Sequence, residues 1–383
     1  MNFLKKILKH FLLVIKLIIC TFPLLWGGLG WGFLLISCND MEDKLKPTNE
    51  NTNAEPTMLY ILSEGLINLN NSTLASYNLE TGVLTNDFFL TVNKRGLGDT
   101  ANDLGLYGSK LYVVVNVSSQ IEVLDAKTGN SLSQIPLFGT NGVAREPRFI
   151  EFYNGKAYIC SFDGTVAKID TGSLKIESLV QCGKNPDGIC VANDKLYVSN
   201  SGGLSFPNYD NTISVINLAT FKEVKKITVA INPGKIYADS QSDVYVVSRG
   251  NNGEGPNIFQ RINTETDELD ESFTDIQALN FSIHKDTAYI YNYDFNKQTC
   301  WVKVFDCKTE QLITENFITD GTKLSTPYGI DINPANGDVY LTDSKSYTVL
   351  GDVLCFNKQG KLKFKLLQIG FNPNKVVFAH HYE

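Results

Sequence analysis

The stretch Asp194–Thr220, DKLYVSNSGGLSFPNYDNTISVINLAT, decides the fold. An apolar-aromatic pair, Leu196-Tyr197, opens a short alternating run, and a polar loop follows. A second run, Ile213 to Ile216, ends in Asn217 with Thr220 three residues on. Outward from there, the tyrosine has counterparts at Tyr60, Tyr112, Tyr158, Tyr245, Tyr289 and Tyr340, each preceded by Leu, Ala or Val. Along the chain the seven are 52, 46, 39, 48, 44 and 51 residues apart. A second marker keeps step with the first: Asn78, Asp125, Asp170, Asn217, Asn263, Asp306 and Asn357 each close a strand-like run. Two markers in one register at this period mean a repeat architecture.

A third register precedes the tyrosine. Proline stands three residues before an apolar residue at Pro147, Pro186, Pro233, Pro327 and Pro373, with Ala101 and Asn280 in the other two units. Proline cannot donate to a sheet ladder, so it marks the first residue of a strand, here strand A. The tyrosine lies on strand B, and the Asp or Asn ends strand C. Short β-branched runs such as Lys110 to Val115 (KLYVVV) and Val244 to Val247, separated by Gly, Asn and Asp clusters, read as strands, and no convincing helix follows Met58. Three residues after the Asp or Asn stands Thr in five units, and Ser173 and Gly360 in the others. That is hairpin-turn chemistry between strands C and D rather than a site.

The first unit begins at strand B, with Met58-Leu59-Tyr60, while the last strand A, from Pro373 on, has no unit after it. The C-terminal strand therefore completes the N-terminal unit, which leaves the ring without a free edge. The expectation is an all-β, seven-bladed β-propeller over residues 58–383. Leu196-Tyr197-Val198-Ser199-Asn200, with Pro186-Asp187-Gly188-Ile189 before it and the turn at Asn217, resembles the YVTN-type, YncE-like propeller repeat.

At 43% hydrophobic content, with 17 Tyr and 22 Phe in 383 residues, the chain has ample material for a core. Residues 1–37 read as a signal peptide: Lys5, Lys6, Lys9 and Lys16 flank a long apolar run that ends Leu35-Ile36-Ser37-Cys38. The run is also long enough to span a bilayer uncleaved, but small Ser37 directly before Cys38 favours processing. The tetrapeptide resembles the bacterial lipobox, which implies lipidation of Cys38. Without the leader the formal charge moves from −7 to −11, and no basic run remains, which argues against nucleic acid and anionic lipid as partners. Residues 38–57 are polar and aperiodic, a flexible tether. Their acidic start, Asp40, Glu42 and Asp43, resembles the surface-export signal of Bacteroidetes lipoproteins. Together these features resemble surface-exposed propeller lipoproteins of that phylum, a group that includes cobalamin-capturing partners of outer-membrane transporters. The resemblance implies an outer-membrane, lipid-anchored, cell-surface location, a corrinoid ligand and a transporter partner.

In a propeller, the loops from D to the next A and from B to C open on one face, around the channel mouth. The residues after the strand-A opening position are Asn102, Arg148, Asp187, Gly234, Phe281, Tyr328 and Asn374, chemically unlike one another where the framework repeats. Such divergence suits a ligand site, although surface loops also vary freely. The B–C loops are longest at Ser201–Asn211, Arg249–Asn257, Asn292–Thr299 and Glu64–Ser72. They add Arg249 and the aromatics Phe206, Tyr209, Tyr293 and Phe295, with Phe162 on a short loop. Aromatic faces beside a few hydrogen-bonding groups suit a large, partly apolar small molecule, a glycan or a protein.

Catalytic motifs are scarce. There is no HExxH, paired CxxC, GxSxG or phosphate loop, so ligand capture without turnover is the expectation. A calcium-dependent lactonase or lyase is the enzymatic alternative, with Asp99, Asp103, Asp187 and Asp343 at the mouth, but calcium needs several oxygens at once and no matching acid-amide set stands out. His380 and His381 are adjacent on a strand and point apart, which disfavours a shared metal. Cys160, Cys182, Cys190, Cys300, Cys307 and Cys355 sit singly in strand-like runs as buried small hydrophobes, with a Cys182–Cys190 pair left open.

Overall fold

A computed structural model describes residues 55–251 and 257–380. The signal peptide, Cys38, most of the tether and His381 lie outside the described residues. Within them, seven four-stranded antiparallel sheets follow one another. Six are built from consecutive strands. The seventh, blade 1, takes Pro373–Ala379 as its strand A beside Met58–Ser63, with Tyr60 opposite Val377. Each strand A packs on the strands A of its two neighbours, and the series closes between blades 7 and 1. The chain is a seven-bladed β-propeller.

The strands A open at the residues that the proline register marks: Ala101, Pro147, Pro186, Pro233, Asn280, Pro327 and Pro373. Strand B is covered on both sides, which explains its unbroken apolar sequence. In Lys110–Val115, for example, Leu111, Val113 and Val115 face blade 1 while Tyr112 and Val114 face blade 3. The core accordingly divides into seven clusters, one between each pair of neighbouring blades. All seven repeat tyrosines are buried in them. Four donate their hydroxyl across the blade boundary, to the carbonyl of the first residue of the next blade's C–D turn, directly after the Asp or Asn: Tyr60 to Ala126, Tyr112 to Thr171, Tyr197 to Thr264 and Tyr245 to Cys307. The strands D, on the outer rim, alternate, as Ile176–Gln181 does with its exposed and half-buried residues.

The C–D turns are built as their chemistry dictates. In each, the Asp or Asn side chain accepts backbone N–H groups two to four residues on, as from Thr81, Thr128, Ser173, Thr220, Thr266, Thr309 and Gln359. Two local expectations fail. Strand D of blade 1 shrinks to Leu84–Thr85, and a helix, Phe88–Asn93, follows it. Asp87 caps this helix by accepting Leu90 N–H at 3.1 Å, and Phe89 fills the space between blades 1 and 2. Asn292–Thr299 is half strand, with only Phe295 to Gln298 left as the turn: Thr287–Asp294 pairs with Thr299–Asp306 through to Asp294↔Thr299.

Candidate functional site

Six of the seven strands A bring their opening residues to the channel through a bulge. In blades 1, 2, 3, 4, 5 and 7 the ladder slips by one residue just after the opening position. A bulge redirects side chains that strict alternation would send to opposite faces. Hence both Asn102 and Asp103, and both Arg148 and Phe149, line the channel. Blade 6 pairs without a slip, Asn280↔Tyr291 and Phe281↔Ile290. There the second residue points away from the channel, so Phe281 is wholly buried, packed edge-on against Tyr237 and Phe259, and is core rather than a mouth residue. Asn280 takes its place at the mouth.

The mouth is a cavity of about 260 Å³ lined by residues from several blades. A continuous polar chain crosses it. The Tyr328 hydroxyl donates to Glu64, Asn102 Nδ2 donates to Glu64 at 2.9 Å, Arg148 Nη1 donates to Asn102 Oδ1 at 2.5 Å, and Arg148 Nε pairs with Asp187 at 2.8 Å. Arg249, from the B–C loop of blade 5, binds the other oxygen of Asp187. It reaches across because Gly234 has no side chain: a Cβ there would lie about 2.9 Å from the guanidinium. Burial alone would raise the Asp187 carboxyl, but the two guanidiniums outweigh it and hold it below the ordinary range. Burial and the neighbouring Glu64 push the Tyr328 phenol well up, so it serves as a neutral donor.

Aromatic faces complete the wall. The Arg148 guanidinium lies 4.5 Å from the Phe162 ring centre, Tyr328 meets Tyr347 edge-on at 5.9 Å, and the Tyr291 hydroxyl donates to the Tyr328 carbonyl at 2.6 Å. Two polar atoms of the lining are buried without a partner, Arg249 Nε and Asn374 Oδ1, while Asn374 Nδ2 is spent on the Ala101 and Asn102 carbonyls. Phe295 belongs to the lining and pairs with Tyr293 at 4.9 Å, while beyond the cavity, on the same face, Phe206 and Tyr209 pair at 6.0 Å. Phe206 and Phe295 are 71% and 60% exposed, the two most exposed phenylalanine rings among the described residues.

Thus Asn102, Arg148, Asp187, Arg249, Tyr328 and Asn374 converge on one cavity, with Phe162 against its wall. Phe206, Tyr209 and Tyr293 stand farther out, and Phe281 leaves the group. Sequence reasoning passed over Glu64, Asn280, Tyr291 and Tyr347 as individual contacts, and Lys235 altogether. The acids considered for calcium are spent separately. Asp99 accepts the Asn68 and Asn70 N–H groups, Asp343 those of Ser325, Thr326 and Lys345, and Asp103 that of Ile150. Among the described residues no three His, Cys, Asp or Glu side chains gather as a metal would require. The six cysteines there are free thiols, Cys182 and Cys190 included.

Below the mouth the channel widens into a second cavity of about 490 Å³. Phe149 and Lys235 line both cavities and form the waist between them. In the lower cavity Lys375 pairs with Asp331 at 2.7 Å. Burial, with Asp103 adding to it, pushes the Glu151 carboxyl up to about 7, although Phe152 N–H bonds to it.

The chain belongs to the family described as a domain of unknown function (DUF5074), whose sequence profile matches residues 58–378. No curated protein matches it. Solved structures share the fold at low identity. A functionally unknown protein from Desulfotomaculum acetoxidans is 12% identical at a TM-score of 0.61, over 85% of this chain and 99% of that one. A quinonprotein alcohol dehydrogenase-like protein from Bacteroides thetaiotaomicron is 15% identical at 0.59, over 84% and 78%. The dihydro-heme d1 dehydrogenase NirN, in complex with DHE, is 10% identical at 0.53, over 84% and 75%.

Proposed function

We propose that the propeller captures a large, amide-bearing small molecule at its mouth and passes it on unchanged, with a corrinoid such as cobalamin as the first candidate. A lipid on Cys38 would hold it at the outer membrane, facing outward, and an outer-membrane transporter would receive the ligand. The observation that carries the reading is the concentration on one face of side chains that break the repeat: the polar chain from Tyr328 to Arg249, the unpartnered Arg249 Nε and Asn374 Oδ1, and the exposed aromatics. A primary amide supplies the N–H that Asn374 Oδ1 lacks and the carbonyl that Arg249 Nε lacks. A macrocycle far larger than 260 Å³ would lie over the mouth, its edge against Phe295 and Phe206 and its amides reaching down.

Binding without turnover fits the ionic pairing. A general acid or base must exchange protons near the working pH, whereas Asp187 is held ionised between two guanidiniums. Exposed Ile67, Leu69 and Leu204, on loops of the same face, add apolar surface of the kind a protein partner covers. The test is calorimetric titration of the chain from Met58 with cyanocobalamin and with dicyanocobinamide. Saturable heat near one equivalent, with a change in the corrinoid's visible spectrum, is expected, and silence with both removes the corrinoid.

A further inference from the structure

We infer that Lys235 is a built anion site at the channel waist, which takes a carboxylate or phosphate group delivered through the mouth. This names a chemical feature of the captured molecule and so rests on the mouth being the binding face. Every other cation lining the two cavities is matched: Arg148 and Arg249 share Asp187, and Lys375 holds Asp331. Lys235 has no ion pair within 4 Å among the described residues, and its ammonium lies 3.7 Å from the centre of the Phe149 ring. A ring face offsets only part of what an ammonium loses on leaving water.

The carboxylates around it are engaged elsewhere. Asp187 is held by both arginines, Asp331 by Lys375 and the Val376 N–H, and Asp103 is turned to the Ile150 N–H. The mouth lining carries three cations, Arg148, Lys235 and Arg249, against two carboxylates, Glu64 and Asp187. That surplus stands inside a chain whose formal charge is −7. An anion entering through the mouth would therefore meet locally favourable charge as far as the waist, in a narrow space where screening by water is weak, while Asp103, Glu151 and Asp331 in the lower cavity would stop it there. Burial, against the pull of Asp103, lowers the Lys235 ammonium to about 8, as expected of a cation without a partner.

The test reads Lys235 directly in the unaltered full-length protein in detergent. Lysines are pulse-labelled at pH 7.5 by reductive methylation and mapped by mass spectrometry, in sodium chloride, acetate or inorganic phosphate at equal ionic strength. With the anion at about ten times its Kd, labelling of Lys235 should slow about tenfold, while labelling of the paired Lys375 stays unchanged. Protection by acetate identifies a carboxylate site and protection by phosphate a phosphate site. Equal labelling of Lys235 in all three salts overturns the proposal, whatever the corrinoid titration shows. Protection of Lys235 in a protein that binds no corrinoid supports the anion site and counts only against the corrinoid.

Discussion

The two faces of the ring are made by the same strands and have opposite characters. On the face with the A–B and C–D corners, seven Asp or Asn side chains make the same turn, and four tyrosines tie one blade's core to the next blade's turn. On the mouth face no two blades present the same side chain except blades 1, 2 and 6, with Asn374, Asn102 and Asn280, and the three do different things. Asn374 binds backbone carbonyls, Asn102 links Glu64 to Arg148, and Asn280 donates to the Tyr291 hydroxyl. Closing a seven-fold ring fixes the first face, because each blade must fit its neighbours alike. The second is free of that constraint, so its chemistry answers to something other than folding.

The sharpest way to break this contrast uses Phe281, which shares its sequence position with Arg148 but its surroundings with the framework. Phe281→Ala should cost about 3–5 kcal/mol by opening a cavity between blades 5 and 6, and leave ligand affinity unchanged at temperatures where the variant is folded. Denaturant unfolding beside calorimetry checks both, and lost affinity in a folded variant would return Phe281 to the mouth.

A smaller effect is expected in the lower cavity. Glu151 titrates near 7 when folded and at its ordinary value, about 4.5, when unfolded. A raised carboxyl contributes stability that is complete below the unfolded value and disappears as pH rises through the folded one. Glu151→Gln should therefore change little at pH 5 and stabilise the protein by about 2 kcal/mol at pH 8 once water in the cavity is allowed for. Equal melting temperatures of variant and parent at pH 8 would show that the carboxylate is well solvated there.

The framework was legible because ring closure makes it repeat: tyrosines, turn residues and strand openings all stand where their spacing put them. The mouth was legible wherever the bulge is present. It misled at Phe281 because the bulge is a backbone feature that no single residue type announces, and Ala101 opens a bulged strand as readily as Pro147 does. A signal exists in the spacing. Nine residues separate Asn280 from Tyr289, against eleven from Pro147 to Tyr158, although both hairpins turn through two residues. The shortfall reflects the missing bulge residue and a pairing position one residue earlier on strand B. Lys235 escaped notice for a related reason: attention fell on one residue per opening, whereas the bulge delivers two. The helix Phe88–Asn93 is too short for helical periodicity to show, and its Asp87 cap reads equally well as a turn.

The most direct measurement removes only what the framework does not need. Phe206→Ala combined with Phe295→Ala trims two exposed rings on the mouth face, and surface changes of this kind alter stability by only about 0.5 kcal/mol. Titrated with cyanocobalamin, the double variant should melt as the parent does and bind about tenfold more weakly, a loss of about 1.4 kcal/mol. Unaltered affinity in the double variant, with the parent binding well, would place the ligand elsewhere and contradict the assignment of function to this face.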